Sequence, residues 1–508
     1  MNRPPAAPAV ALFVLCALAS PSRVRALETD QYWSWHRPLA DSTEAVNAWF
    51  NLAVTRVLDQ EAQHSPGVPL QCEEVRNRIG YRLEFEIFQD VELWTFHSSL
   101  VDRAPASPEE VDEFESGNIY SNHPPLDIGN WLPHSPTIEI NGVRIGTDKL
   151  AHFVSSGWKY YRIYRWRLNH GHDAADAYEW AVRWGVLEER SINGLLAVGV
   201  FSRADMESNA SGLRFYIDLC DGDDPYLAKV DGRWGLRRSV DLAEYVTPEW
   251  DESYQNSIYA GYRWKWVRPM LLAHCPDLAD PVVQGRIARY RAVDRETPSE
   301  KAIAALVASG ELAGPGQFSL EANCATRPIA VAAPEPGTAS VRVSRREPDR
   351  ALMAEVAARQ ADVEPQVFTL AAVRLDYPRR LTGSLGLLFA KVPREIDCRV
   401  ACDLRGVFAQ VEPGLAGGQL SVGWGRLIGD TGPTSRFLAN VHLAGGVRAS
   451  LLRTWGDSPL GDEPQTLAGV EGELTITRVN FTVGLFRAVS GAGPHDDWVV
   501  TGGIGWGF

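Results

Sequence analysis

Asp148, Lys149 and His152 fall within one short stretch, GTDKLAHF (residues 146–153), where an acid, a base and an imidazole meet. On a helix, Asp148 and His152 are spaced i, i+4 and share one face, which Ser156 extends. A helix N-terminus at this point favours the Asp148 carboxylate through the helix dipole. Two later stretches bring further polar groups. LEERSING supplies Glu189, with Arg190 beside it and Gly194 close behind. GVFSRADMESNASG places Asp205, Asn209 and Gly212 at i, i+4 and i+7 on one side of a helix that Ser202 caps.

Asp148, Lys149, His152, Glu189, Asp205 and Asn209 therefore form a candidate polar cluster. Asp148, His152, Glu189 and Asp205 are oxygen and nitrogen donors that could hold a divalent metal and activate a water. His152 and Glu189 could each act as a general base. The alternative is structural, with buried polar groups satisfying one another and fixing how three helices pack. No Gly-x-Ser-x-Gly elbow, His-Glu-x-x-His, P-loop or dinucleotide fingerprint points to a sharper enzyme class, and no other cofactor is called for. NHGHD (169–173) reads as a solvated turn between helices. DLCDGDD (218–224) lacks the full calcium-loop pattern.

TDKLAHF followed by EERSINGLLAVGVFSRADMESNASG resembles the VanZ-like and YfiM-like families. Members show Asp-Lys-x-x-His-Phe, later a Glu near a Gly, then Ser-x-x-Asp and an Asn followed by Gly. The likeness covers residues 145–215, and it implies a place in the cell envelope without implying a settled reaction. This chain departs from the pattern at Arg190, where Lys is expected, and in its large C-terminal region.

The elements that must carry these residues are mainly helical. Apolar residues recur at helical spacing from about 42 to 100, and a loop rich in Pro, Ser and acids follows at 104–136. PTIEINGVRI is strand-like. A long aromatic helix to about 168 comes next, then a helix beginning DAADAYEW and the capped helix after Ser202. Residues 221–324 read as an irregular subdomain. Residues 325–346 lose large apolar side chains and read as a linker, which a short helix, DRALMAEVAARQA, follows.

From 366 the period becomes two. In DDWVVTGGIGWGF, Trp498, Val500, Ile504, Trp506 and Phe508 oppose Thr501, Gly503 and Gly505. In RFLANVHLAGGVRASLL, Phe437, Ala439, Val441, Val447 and Leu451 oppose Asn440, Arg448 and Ser450. About eight such segments, one greasy face and one polar or glycine-rich, predict a small antiparallel β-barrel of outer-membrane type, with a soluble sandwich as the rival. A final aromatic in phase with the greasy face resembles the ending of bacterial outer-membrane barrels.

The N-terminus predicts export. Arg3, the apolar run AVALFVLCALA and VRA at 24–26 fit a signal peptide over residues 1–26. Six cysteines remain after it. They permit disulfides in an exported chain, and Cys398 and Cys402, flanking CRVAC, are the favoured pair. A formal net charge of -14 argues against a nucleic-acid partner, since phosphate binding calls for a basic face. The expected layout is α+β and multidomain. A signal peptide (1–26), a helical periplasmic domain (27–324), a linker with a short helix (325–365) and a barrel (366–508) follow in order. The expected partners are outer-membrane lipid and an envelope component, lipid or cell-wall derived. The rival functions are a metal-dependent envelope hydrolase and a soluble secreted two-domain binding protein.

Overall fold

The computed structural model describes residues 29–64, 70–84, 90–122, 134–191, 194–196, 198–230, 232–324, 347–399, 402–430, 440–476, 479–491 and 498–507. The predicted signal peptide, the linker at 325–346, Phe437, Ala439 and Phe508 lie outside them. The chain divides into two compact units, Arg25–Ala358 and Arg359–Phe508.

The first unit is mainly helical. Helices α1 (Thr43–His64), α2 (Cys72–Glu84) and α3 (Asp90–His97) precede a short strand β1 (Arg103–Ala104). Helix α4 (Pro108–Gly117) follows, inside the stretch expected to be a loop. Ser107 caps it and Pro108 opens it, so its polar composition marks a helix start that apolar periodicity alone overlooks. Strands β2 (Thr137–Ile140) and β3 (Val143–Gly146) turn the stretch read as strand-like into a hairpin.

The hairpin feeds directly into α5 (Thr147–Ala151), a π-helical turn (His152–Ser156), α6 (Gly157–Asn169), α7 (Ala174–Arg190), strand β4 (Val200–Phe201) and α8 (Arg203–Asp218). Where one long helix was expected, the π-turn inserts a wider turn directly after Asp148 and Lys149. The aromatic run packs inward. Phe153 lies against Trp250, ring centroids 5.8 Å apart, and Trp158 stacks on Tyr161 at 5.2 Å. These rings belong to a core shared by α1, α2, α6 and α8.

Residues 221–324 are more ordered than their sequence suggests. They hold the hairpin β5 (Leu227–Val230) and β6 (Arg233–Leu236), strand β7 (Ile258–Tyr259) paired with β4, and helices α9 (Gly261–Leu271), α10 (Pro281–Val293), α11 (Pro298–Ala308) and α12 (Leu320–Asn323). Caps on Asp280 and Thr297, each before a proline, start α10 and α11. Helix α13 (Arg350–Ala361) follows.

The disulfides differ from the expected pairing. Cys72 bonds Cys220, and Cys275 bonds Cys324, whereas Cys398 and Cys402 are buried thiols. Proximity in sequence favoured the last two, but the bridges follow tertiary proximity, across sequence separations of 148 and 49 residues.

The second unit is a closed antiparallel barrel. Its eight strands are β8 (Val363–Tyr377), β9 (Arg380–Pro393), β10 (Cys402–Gly414), β11 (Gly417–Asp430), β12 (Asn440–Thr454), β13 (Thr466–Ile476), β14 (Val479–Ser490) and β15 (Trp498–Gly507). Neighbours in sequence pair in turn, and β15 closes the ring against β8 through Gly502–Tyr377 to Gly507–Ala372. One sheet closing on itself rules out the two-sheet sandwich for these strands.

The alternation reads directly as out and in. Val373, Leu375, Val422, Trp424, Val447 and Ile504 are exposed, while Arg374, Arg448, Glu412 and Glu473 between them are wholly buried. The interior has two parts. One is apolar, built on Phe368, Leu388, Leu404, Phe408 and Leu427, with Cys398 and Cys402 in it. The other is charged. Arg448 reaches Glu471 at 2.7 Å and Glu412 at 2.8 Å, Arg374 reaches Glu473 at 2.6 Å, and Arg379 pairs with Asp376 and Glu412. Gln419 and Asn480 complete the network.

Candidate functional site

Strand β3 ends at Gly146, the N-cap of α5, so the chain turns from strand to helix with no intervening loop. A Cβ on Gly146 would collide with Thr29 Oγ1 and Asp148 Oδ1. Glycine is therefore what lets Thr29 donate to Asp148 Oδ1 at 2.7 Å. Lys149, one residue on, is completely buried.

The Lys149 ammonium gathers three carboxylates. It lies 2.6 Å from Asp148 Oδ2 and 2.6 Å from Asp205 Oδ1, and it also donates to Glu252 Oε1. Those acids come from α5, from the first turn of α8 and from the segment just after a 3₁₀ turn at Pro248–Trp250. All four groups are at most 5% exposed. Desolvated charges need this density of partners, because a buried ammonium without counter-ions is costly.

His152 extends the network. Asn209 Nδ2 donates to the Tyr160 hydroxyl at 3.2 Å, so Asn209 Oδ1 is the acceptor facing His152 Nδ1 at 3.0 Å. That ring nitrogen therefore carries a proton. The other, Nε2, lies 2.9 Å from Asp205 Oδ2. Burial pushes the Asp205 carboxyl up, but the charges and hydrogen bonds of His152 and Lys149 outweigh it and hold the group far below the ordinary carboxylate range. Asp205 is thus held from two sides, by Lys149 at Oδ1 and by His152 at Oδ2. Both ring nitrogens of His152 therefore have a protein partner, Asn209 on one side and Asp205 on the other.

Glu252 was not singled out in the sequence. Burial raises it against the pull of Lys149, and the charges of Asp148 and Asp205 alongside leave it at about 7. Its Oε2 is buried with no hydrogen-bond partner among the described residues. Ser202 ties it to the rest. The Ser202 hydroxyl donates to Glu252 Oε1 at 3.1 Å and accepts from the Asp205 amide at 3.1 Å, which is also the N-cap of α8.

Glu189 sits one step away. It is the last residue but one of α7, is buried, and accepts from the Ser202 amide at 3.1 Å. Gly194 leaves it room, since a Cβ there would stand 2.5 Å from Glu189 Oε1. Glu189 thus braces the cap of α8, while Asp148, Lys149, His152, Asp205 and Asn209 form one connected network with Glu252. Arg190, beside it, turns outward to Glu311 at 3.0 Å.

Helices α6 and α8 meet backbone to backbone. A Cβ on Gly157 would stand 2.5 Å from Gly212 Cα, and one on Gly212 would stand 2.0 Å from the Phe153 carbonyl oxygen. This close approach brings Asn209 of α8 within reach of His152 and Tyr160.

Among the described residues, Asp148, His152 and Asp205 are the group whose ligand atoms lie within 4.8 Å of one another, a spacing a metal ion could bridge. Glu189 is not of that group. Two observations weigh against a metal there. The Lys149 ammonium already stands at hydrogen-bond distance from both aspartates, and the His152–Asp205 separation is that of a direct hydrogen bond. The donor set fits a protein-supplied cation better than an added one.

The other tempting stretches are separate from this network. His170 is exposed and faces the Trp166 carbonyl, and His172 pairs with Asp176 at 3.0 Å. In DLCDGDD, Cys220 is bridged and Asp221 pairs with Arg76 at 2.6 Å.

No family model, curated protein or solved structure matches the chain. The likeness to VanZ-like and YfiM-like proteins therefore rests on the spacing of its motif.

Proposed function

We propose that this chain is a cell-envelope protein held in an outer membrane by its barrel, with a helical unit that binds an envelope component, lipid or cell-wall derived. The carrying observation is the polarity of the barrel. Its inside holds Arg374, Arg379, Arg448, Glu412, Glu471 and Glu473, while Val373, Leu385, Phe389, Trp424, Val447 and Ile504 point out. A barrel standing in water has the opposite arrangement, because an apolar belt of this extent is a liability there. A barrel in lipid needs this one.

Strand length and aromatic placement support the same reading. Every barrel strand has ten residues or more, enough to span hydrocarbon when tilted. Trp498 and Trp506 share the outer face at opposite ends of β15. They stand roughly 26 Å apart along the strand at the usual rise per residue. That is close to the ~25 Å apolar band that aromatic girdles flank. The signal-like N-terminus and the motif resemblance add support for an envelope address. No described helix is long and apolar enough to cross a membrane.

The lumen is filled by side chains, so the barrel serves as an anchor and not as a pore. The Lys149 ammonium at the centre of the site is already met by three carboxylates, which supports a scaffold role for it over hydrolysis. Membrane fractionation of cells making the full chain tests the proposal. The protein is expected to stay with membranes through high-salt and alkaline washes and to need detergent for release. Release by the washes alone would refute it.

A further inference from the structure

Between α7 and α11 lies a cleft of about 780 Å³. This falls within the ~300–1,000 Å³ typical of small-ligand sites. Trp180, Trp184 and Leu187 follow one another at helical spacing along α7 and are 40%, 44% and 57% exposed. Arg167 stands over the Trp180 ring at 4.5 Å, and the two indoles with Leu187 still leave an apolar stripe open to water. The facing wall on α11 is made of Ala302, Ala305 and Leu306, and its small side chains leave the volume open.

Charge at the lining has a definite sign. Arg183, Arg190 and Lys301 stand against Glu179 and Glu311, one positive charge in surplus, in a chain whose formal net charge is -14. Arg183 pairs with Glu179 at 2.6 Å and Arg190 with Glu311 at 3.0 Å. Lys301 has only a loose contact to Glu296 at 3.4 Å, with both side chains about two-thirds exposed. An apolar trough with half-wet indoles and one surplus cation suits an amphiphile with a hydrocarbon tail and one anionic headgroup.

We propose that this cleft takes an acyl chain of an anionic phospholipid, with Lys301 facing the headgroup. The proposal rests on the reading that the chain lives at a membrane, and it names the class of component the helical unit binds. Ala305 is exposed, so Ala305→Trp fills the cleft without entering the core, and Leu187→Asp makes its wall polar from an equally exposed position.

The test uses the full chain in phosphatidylcholine nanodiscs containing a phosphatidylglycerol probe with a photoreactive acyl end. After irradiation, label is expected on peptides of the barrel and on those of α7 and α11. The α7 and α11 label should fall about tenfold in Ala305→Trp and in Leu187→Asp, the loss of about 1.4 kcal/mol of binding, while the barrel label persists. Barrel label without helix label, or helix label indifferent to both variants, overturns the cleft proposal and leaves anchorage standing. A dimer cross-linked through Trp184→Cys that shuts out the label also overturns it, by assigning the cleft to a second copy. If the chain does not enter nanodiscs, anchorage has failed. Titration of the full chain with monomeric lysophosphatidylglycerol then decides the cleft alone. Saturation at one per chain, lost in Ala305→Trp, supports it, and absence of saturation overturns it.

Discussion

Lys149 Nζ stands 2.6 Å from Asp205 Oδ1, and this contact joins α5 to the first turn of α8. The ammonium is also the shared counter-ion of Asp148 and Glu252. Lys149→Met would leave three carboxylates buried together without it. Breaking a buried ion pair from one side costs about 3–5 kcal/mol. Urea titration of the full chain, followed by tryptophan fluorescence, should show a loss of that size. Lys149→Met combined with Asp205→Asn should cost less than the two changes added, because each removes the other's unpaired charge.

The same network makes the helical unit sensitive to pH. Glu252 has its folded value raised from 4.5 to about 7, and Glu207, outside this network beside Thr297 and Ser299, is pushed by burial to about 8. Raised carboxyls bind protons more tightly in the folded state. Their contribution is present at low pH and is lost as pH climbs from the ordinary carboxyl value near 4.5 through 7 to 8. For Glu252 alone that is on the order of 3 kcal/mol. Asp205 works the other way, and its contribution is lost as pH falls below about 4. Melting curves between pH 4.5 and 8 should show declining stability, and Glu252→Gln should flatten the decline. A profile unchanged by that substitution would contradict the assignment.

Metal content separates the scaffold reading from hydrolysis. The purified full chain is expected to carry no stoichiometric divalent metal, and a chelator should leave its melting temperature unchanged. Near-stoichiometric metal that disappears in His152→Ala would reinstate Asp148, His152 and Asp205 as ligands.

Val447 sits at the middle of β12, is 65% exposed, and neighbours the buried Arg448. Val447→Arg distinguishes the two possible surroundings of the barrel. In water an exposed substitution stays within about 0.5 kcal/mol. At the middle of a bilayer it costs about 2–4 kcal/mol. Folding of the full chain into phospholipid vesicles should show the larger value.

Peptide mapping without reduction should recover Cys72 joined to Cys220 and Cys275 joined to Cys324, with Cys398 and Cys402 alkylated only after denaturation. Cys72→Ser should cost about 2–5 kcal/mol, since the bridge closes a long loop between α2 and the end of α8.

The barrel was legible because its signal is local. Alternation at Trp498, Val500, Ile504 and Trp506 survives whatever surrounds it. The Asp148–His152 and Asp205–Asn209 pairs were legible for the same reason, being i, i+4 on single helices. Glu252 was not, because it follows a 3₁₀ turn and meets Lys149 only through tertiary folding. The disulfides failed likewise, since pairing depends on which helices pack and not on spacing along the chain. Glu189 was found in sequence, yet its part, bracing the amide of Ser202, depends on the turn that brings β4 back across the end of α7.

Closure of the barrel sets an order of assembly. The edge of β8 away from β9 is paired by β15, the barrel strand furthest from it in sequence. An unfinished sheet therefore presents an open edge beside a surface of Val373, Leu375 and Tyr377. The intermediate is adhesive by construction. The pairing of the barrel's first strand with its last makes closure a long-range contact, the kind that forms slowly.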